Sequence, residues 1–430
     1  MATAVFQVDT QQFERKALQW AQQFDEVCFF QSNGYSDEYA QIGNLLAVKA
    51  VDSFVSTQTD IFHTLEKFRA KHSDTWMPGF FSYDLKNEIE DLTTSFPNQL
   101  AFPEAYFFIP SIILDFKYKQ VKIEALYPEK VYRDILAYDY IANEERIETE
   151  PIQFQKRMSK KAYLEVFRQL LKHIRQGDIY EVNLCQEFYT THVTLSPLTV
   201  YQKLNQISPT PFSCFFKIKD KYILSASPER FLAKRGNTLI SQPIKGTAPR
   251  GKSTEDDREI IATLKNSPKE IAENVMIVDL VRNDLTRSAQ EGTVKAERQL
   301  EVQTFKQVHQ LVSTITCQKR TDISDIEVIR NTFPAGSMTG APKISAMKLC
   351  DRYENSKRGI YAGSVGYFDP AGNFDFNVVI RSLLYNSTKE YLSFHTGGAI
   401  TIDADPEKEY QECLLKASAI LKTLNANLVE

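Results

Sequence analysis

Strand-like and helical stretches follow one another along this chain without a regular order, and that irregularity constrains the fold more than any single motif. Before residue 150 the text alternates like strands at 26–30, 45–51, 106–109, 111–117 and 121–126, with a helical stretch at 61–71. Residues 160–176 read as a helix, with apolar side chains at Tyr163, Val166, Phe167, Leu170, Leu171 and Ile174, and Gly177 is placed to end it. Further strands are expected at 180–188, 212–218, 222–226, 238–242, 363–368, 376–384 and 391–396, with helices at 254–264, 271–284 and 406–424. A doubly wound parallel sheet needs a repeating strand–helix–strand rhythm, which is missing. The expectation is an α+β fold with largely antiparallel sheets.

A charged segment, 143–150, precedes Pro151 and is the best candidate boundary, dividing an aromatic-rich region 1–150 from a second region 155–426. No internal repeat is evident, which argues against solenoids and propellers. The formal charge, 51 minus 55 or −4, advertises neither a nucleic-acid footprint nor a polybasic membrane patch. Six scattered cysteines without a C-x-x-C pair read as reduced thiols, not as a zinc site or disulfide frame. The first residues lack the basic and apolar regions of a secretory signal, and no apolar stretch approaches the roughly 18 residues that span a bilayer. The expected location is therefore cytoplasmic, away from nucleic acid and membrane.

Lys245 stands in Gln242-Pro-Ile-Lys-Gly-Thr247, a cation between a proline and a glycine after a strand-like stretch. A constrained turn there would present an amine as a nucleophile or an anion contact, although from the hexapeptide alone a surface turn is the favoured reading. The overlapping text Gly246-Thr-Ala-Pro-Arg-Gly-Lys-Ser253 satisfies the P-loop pattern, and 275–279 imitates a Walker B strand. Two points oppose an NTPase. Glu255, Asp256 and Asp257 fall in the first turn of the following helix, where they would repel a triphosphate. Asp279 falls inside a helical pattern and not at a strand end.

Glu270 and Glu273 are three residues apart, as are Glu409 and Glu412, so on helices each pair shares a face. Alone, either pair is a solvated helix surface. If the two faces meet, four carboxylates surround a volume suited to a hard cation such as Mg2+, with Lys416 one turn beyond Glu412 to hold a substrate carboxylate.

Eight segments in order then resemble one family. They are Gly177-Asp-Ile-Tyr-Glu-Val-Asn-Leu184, Ser227-Pro-Glu-Arg-Phe231, Pro243-Ile-Lys-Gly-Thr247 with Pro249-Arg-Gly251, and 270–284. After them come Gly336-Ser-Met-Thr-Gly-Ala-Pro-Lys343, Tyr361-Ala-Gly-Ser-Val-Gly-Tyr367, 377–381, and Gly397-Gly-Ala-Ile-Thr401 leading into Glu409-Tyr-Gln-Glu412. This text closely resembles the chorismate-utilising enzymes, a family that includes anthranilate, aminodeoxychorismate, isochorismate and salicylate synthases. It spans about 160–425; residues before 150 resemble the family's N-terminal region, that of anthranilate synthase component I, chiefly at 79–92. The resemblance implies two large antiparallel sheets packed face to face with helices outside, and a chorismate-binding catalytic region at 155–426.

It also implies roles. The residue after Pro-Ile sorts the branches: anthranilate synthases carry alanine, and Lys245 points to the aminodeoxychorismate branch on the route to 4-aminobenzoate and folate. Lys245 would attack C2 of chorismate as Glu229, a general acid, helps hydroxide leave C4; ammonia would then add at C4 and expel the lysine. The attacking lysine is expected to be neutral. Mg2+ would sit on Glu273 and Glu412, with Glu270 and Glu409 holding waters. Arg381 and Lys416 match positions that grip carboxylates, aided by the amides of Gly397, Gly398 and Ala399, while Thr247, Thr339, Tyr361 and His309 match pocket-lining positions. Glu181 departs from the pattern, since the water-activating branches carry lysine there and the aminating ones usually glutamine; it is expected to take a proton from ammonium. No segment resembles a glutaminase, so ammonia would come from a separate glutamine amidotransferase subunit, and a downstream lyase would act on the product. Anthranilate synthase is the main alternative, followed by the NTPase and a catalytically idle relative. Some family members bind tryptophan near the position of 28–33, but the match is poor and no ligand is assigned.

Overall fold

The computed structural model describes residues 1–35, 38–56, 60–139 and 151–429. The expected boundary segment 143–150 lies outside the described residues. Among these, eleven α-helices and twenty-one strands form an α+β fold. The strands join in one hydrogen-bonded network, antiparallel except where Asn427–Val429 runs parallel to Gln153–Lys156.

The network has two arms that share the long strand Ala105–Lys117. The first continues through Asn44–Val55, Glu26–Gln31, Phe212–Ile218, Lys221–Ser227, Ser382–Asn386 and Tyr391–Ile400 to Glu181–Thr190. The second runs through Met77–Phe81, Ser364–Phe368, Phe374–Asn377, Arg230–Arg235 and Thr238–Gln242 to Val308–Gln318. Cys28, Ala47 and Phe216 of the first arm and Phe80, Leu232 and Phe376 of the second bury into one core between them. Phe80 stands edge-on to Phe216, with centroids 5.6 Å apart, a favoured aromatic geometry.

Strand periodicity explains why the first arm reads as almost continuously apolar. Successive side chains point to opposite faces. Leu45 and Ala47 enter the core between the arms, while Leu46 and Val48 enter a second core beneath helices Thr10–Ala21, Pro128–Ala137, Pro197–Ile207 and Pro406–Leu424. Both faces are buried at 45–48, so no polar alternation survives there, and it returns only from Lys49 onward. Strands from before residue 150 are built into both arms: Glu26–Gln31 pairs with Phe212–Ile218, and Met77–Phe81 with Ser364–Phe368.

The helix Lys160–Gln176 has the expected bounds, with the Ser159 side chain accepting from the Ala162 amide and Gly177 left-handed at φ 83°. Two expectations change. The strands expected at 106–109 and 111–117 are one, because Pro110 lies beside a bulge in the partner strand and interrupts no essential pairing. The strand expected at 376–384 is two, Phe374–Asn377 and Ser382–Asn386, which belong to different arms. The chain crosses between the arms at 378–381, where Arg381 adopts φ 50° and breaks the extended backbone. All six cysteines are free and buried. No described helix is long and apolar enough to cross a membrane.

Candidate active site

Pro243 interrupts the strand Thr238–Gln242, and the chain resumes as Ile244–Pro249 on the same partner, Val308–Gln318. Between Ile244 and Thr247 the register slips, and Gly246 takes φ 92°. A Cβ on Gly246 would stand 3.0 Å from Glu270 Oε2 and from Leu311 Cδ1. Lys245, expected on a turn, therefore sits in a bulge, the device that re-aims a side chain out of a ladder. Its buried Nζ donates to Glu181 Oε1 at 2.5 Å. Glu181 opens the strand Glu181–Thr190, and its second oxygen is buried without a hydrogen-bond partner.

This contact overturns the expectation of surroundings that favour a neutral Lys245. Burial pushes the amine down, but Glu181, Glu273 and Glu229 together outweigh it and hold Lys245 above its ordinary value. The lysine waits as a cation.

Glu229 follows Ser227 and Pro228 between two strands, with its backbone braced across the arms. Its carbonyl accepts from the Val378 amide at 3.0 Å, and Ser227 Oγ donates to the Val378 carbonyl at 2.6 Å. Burial raises the Glu229 carboxyl to about 7, with Ser337, Lys245, the Ile244 amide and Arg381 drawing it partly back. An acid so placed holds its proton near neutrality. Arg381, on the crossing segment, has its guanidinium lowered by burial and supported by Glu229. Among the described residues that guanidinium has no hydrogen-bond partner, which leaves it able to meet an anion.

The two glutamate pairs lie on helices Pro268–Thr286 and Pro406–Leu424, near enough that Lys269 of the first helix reaches Glu409 of the second at 3.3 Å. Burial raises Glu273 to about 7 and also raises Glu270 and Glu409, and the Glu412 charge raises the latter two further. Burial would raise Glu412 as well, but Lys416 at 2.9 Å outweighs it and the carboxyl falls below its ordinary value. Glu273 Oε1 is buried without a hydrogen bond. Crowded carboxylates with a buried oxygen that makes no hydrogen bond fit a hard cation. As placed, no three carboxylate, histidine or cysteine side chains among the described residues converge on one ligating point. Lys269, which the sequence reading missed, stands between the pairs, 3.3 Å from Glu409 Oε1 and 3.8 Å from Glu273 Oε1. Its spacing of four from Glu273 was the available signal.

The remaining expected residues divide. Lys416 donates to the Gly397 carbonyl at 2.9 Å as well as to Glu412. Gly397 and Ala399 lie opposite Cys185 and Asn183, whose amides bond to Glu354 and to the Thr339 carbonyl instead of the ladder. Both pairs are thus non-hydrogen-bonded, so the Gly397 and Ala399 amides turn away from that partner strand, while the Gly398 amide belongs to the ladder. Gly398 has another use: a Cβ there would stand 3.0 Å from Glu409 Oε2. Tyr361 is buried, stacks on His395 at 5.0 Å, and accepts from Cys185 Sγ. Thr247 is exposed and accepts from Gln310 at 3.3 Å. Thr339 is buried, its hydroxyl donating to the Gly336 carbonyl at 3.0 Å. His309 has both ring nitrogens engaged, with Thr304 at 2.9 Å and Asp257 at 2.8 Å, which makes it a brace between strand and helix.

The P-loop text is closed from within. Asp257 Oδ1 accepts from the Gly251 amide at 2.6 Å and Asp256 Oδ2 from the Lys252 amide at 3.1 Å. Carboxylates occupy the amides that would have to meet a phosphate. Val275–Leu280 is helical, so Asp279 is no strand-end carboxylate. A separate cavity of about 380 Å3, lined by Gln31, Ser32, Phe212, Arg230 and Tyr367 among others, lies beside the segment 28–33.

Residues 24–422 match the family described as chorismate binding enzyme. Aminodeoxychorismate synthase component 1 of Escherichia coli (strain K12) is 36% identical over 348 residues, 80% of this chain and 76% of that protein. Aminodeoxychorismate synthase of Streptomyces griseus is 40% identical over 270 residues, 63% of this chain, which spans 37% of that relative's length. Anthranilate synthase component 1 of Thermus thermophilus is 32% identical over 358 residues, 80% of this chain and 76% of that protein. Among solved structures, anthranilate synthase component I from Streptococcus pneumoniae TIGR4 superposes with a TM-score of 0.77 at 24% identity, covering 90% of this chain and 95% of that one. A match over nearly the whole length, together with relatives above 30% identity over four fifths of the chain, places this chain in the chorismate-binding enzyme family.

Proposed function

We propose that this chain is an aminodeoxychorismate synthase component 1, which aminates chorismate at C4 to give 4-amino-4-deoxychorismate. The observation that carries the reading is the buried Lys245, paired with Glu181, at the position where the family resemblance implies alanine in anthranilate synthases. The chemistry must replace a poor leaving group on a dianionic diene. Lys245 adds at C2 while the C4 hydroxyl departs as water with the proton of Glu229. Ammonia then adds at C4 and the C2–N bond to lysine breaks, which restores the diene. Before attack Lys245 must shed a proton, and Glu181, at 2.5 Å with its second oxygen unpartnered, is its acceptor. Once the adduct has formed and Glu181 has released that proton to solvent, the same carboxylate would take one from arriving ammonium and return it to the departing lysine.

Arg381 and the outward amides of Gly397 and Ala399 would bind substrate carboxylates, the guanidinium in a two-pronged mode. Lys416 would join them by exchanging its internal partners. Glu273 and Glu412 would hold Mg2+, with Glu270 and Glu409 holding its waters; the ion supplies Lewis-acid polarisation of the ring carboxylate. Ammonia would come from a separate glutamine amidotransferase subunit, and a separate lyase would remove the pyruvyl group.

Intact-protein mass after incubation with chorismate and Mg2+ without ammonia tests this reading. A chorismate-derived adduct mapped to Lys245, absent in Lys245→Ala and discharged by ammonium to the amino product, is the expected result. Fluorescent anthranilate as the product would place the chain in the other branch.

A further inference from the structure

We propose that Lys269 is a built-in counter-cation: it ties the two carboxylate-bearing helices together and competes with the divalent ion for Glu273 and Glu409. This rests on the reading that the four glutamates receive such an ion. Lys269 belongs to the helix Pro268–Thr286, directly before Glu270, yet its nearest partner is on the other helix, Glu409 Oε1 at 3.3 Å. It also faces Glu273 Oε1 at 3.8 Å, so one ammonium bridges one member of each pair.

The burial is asymmetric. The Glu409 and Glu273 side chains are 5% and 11% exposed, while that of Lys269 is 49% exposed. The carboxylates cannot leave the site, but the lysine stem can carry its charge back to water. The other lysines are engaged elsewhere: Lys416 by Glu412 and the Gly397 carbonyl, Lys245 by Glu181. Two helix faces crowded with carboxylates would repel each other without a cation, and Lys269 supplies one that a dication can displace. The cost is affinity, because the entering ion must break both ion pairs.

The test uses the full chain without chorismate, with Mn2+ as the probe and the free ion counted by electron paramagnetic resonance. Lys269→Met should bind Mn2+ more tightly than wild type by about twofold to thirtyfold, the range two partly exposed ion pairs support. Lys408→Met removes the same charge from the exposed neighbour of Glu409 and should change little. Equal tightening in both variants, or none in Lys269→Met, overturns the proposal. Lys269→Arg, which keeps the charge and donates to both carboxylates, should bind Mn2+ no better than wild type even if the methionine variant does not fold; tighter binding there also overturns it. Glu273→Gln separates the two readings. If wild-type Mn2+ binding is indifferent to that change, the ion site itself is wrong and the role of Lys269 falls with it. If Glu273→Gln weakens binding while Lys269→Met leaves it alone, only the competition is wrong.

Discussion

Lys245 and Glu181 form a buried ion pair at 2.5 Å, with the two side chains 10% and 1% exposed. On the proposed mechanism, the pair would keep the lysine in a site that later uses it as an amine. Replacing Glu181 by glutamine removes the carboxylate in contact with Lys245, so the free amine should exist at lower pH. The midpoint for adduct formation from chorismate without ammonia should move down by about one pH unit or more. Turnover with ammonium should nonetheless fall about a hundredfold, because nothing then holds and returns the proton that the departing lysine needs. Rapid-quench mass spectrometry across pH, beside steady-state rates, would show both; wild-type behaviour in both assays sinks the role.

Glu229 carries the opposite requirement, a proton kept near neutrality. Its carboxyl moves from an ordinary 4.5 to about 7 on folding, chiefly by burial. The folded chain therefore binds this proton more tightly than the unfolded chain. The resulting stability is complete below about 4.5 and is lost as pH rises through about 7. Glu229→Gln keeps the neutral shape, so at about pH 8 it should be more stable than wild type, by up to about 3 kcal/mol, with no gain at about pH 4. Adduct formation should drop by a factor of about 100 to 10,000, the span of a lost general acid. Urea unfolding at the two pH values checks the first claim; a pH-independent difference would contradict it.

What could be read in advance follows from how local each feature is. Helix Lys160–Gln176 announces itself through a 3.6-residue pattern, the Ser159 cap and the left-handed Gly177, all within eighteen residues or so of one another. The pairing of Glu26–Gln31 with Phe212–Ile218 has no such signature, because the partners are far apart in sequence and both faces of the strand are buried. The break at Arg381 was hidden because a left-handed non-glycine is imposed by tertiary structure. At the site, the family resemblance nominates residues, but their partners are not legible in the sequence. Lys245 looked like a future neutral amine until Glu181, 64 positions away in the chain, was seen against it. Lys269 has no role legible in the sequence, because the partner that gives it one, Glu409, is on another helix 140 positions away.

The P-loop text gives a prediction with a null outcome. Its Gly251 and Lys252 amides are held by Asp257 and Asp256, and Arg250 also binds Asp257 at 2.6 Å. Lys252→Ala should leave amination within about twofold of wild type, as expected for an exposed surface change away from buried contacts. Equilibrium dialysis with Mg-ATP should show no binding in either protein. Saturable binding that Lys252→Ala abolishes would restore the NTPase reading.

Two glycines with similar positive φ separate conformational strain from crowding at the site. Gly177 has φ 83° and open space where a Cβ would go; Gly246 has φ 92° with Glu270 Oε2 and Leu311 Cδ1 each 3.0 Å from that position. Gly177→Ala should therefore cost only the left-handed backbone, about 1 to 2 kcal/mol, and leave chemistry intact. Gly246→Ala also sits at positive φ and must in addition move Leu311 or the Glu270 carboxylate, and its backbone shift is transmitted to the adjacent Lys245. It should cost at least about 1 kcal/mol more than Gly177→Ala and slow adduct formation at least about tenfold, since small displacements of a reacting group are expensive in rate. Denaturant unfolding of both variants, compared with adduct formation at saturating chorismate, makes the comparison. Equal losses of stability, or an unimpaired Gly246→Ala adduct rate, would mean that the bulge does not set the position of Lys245.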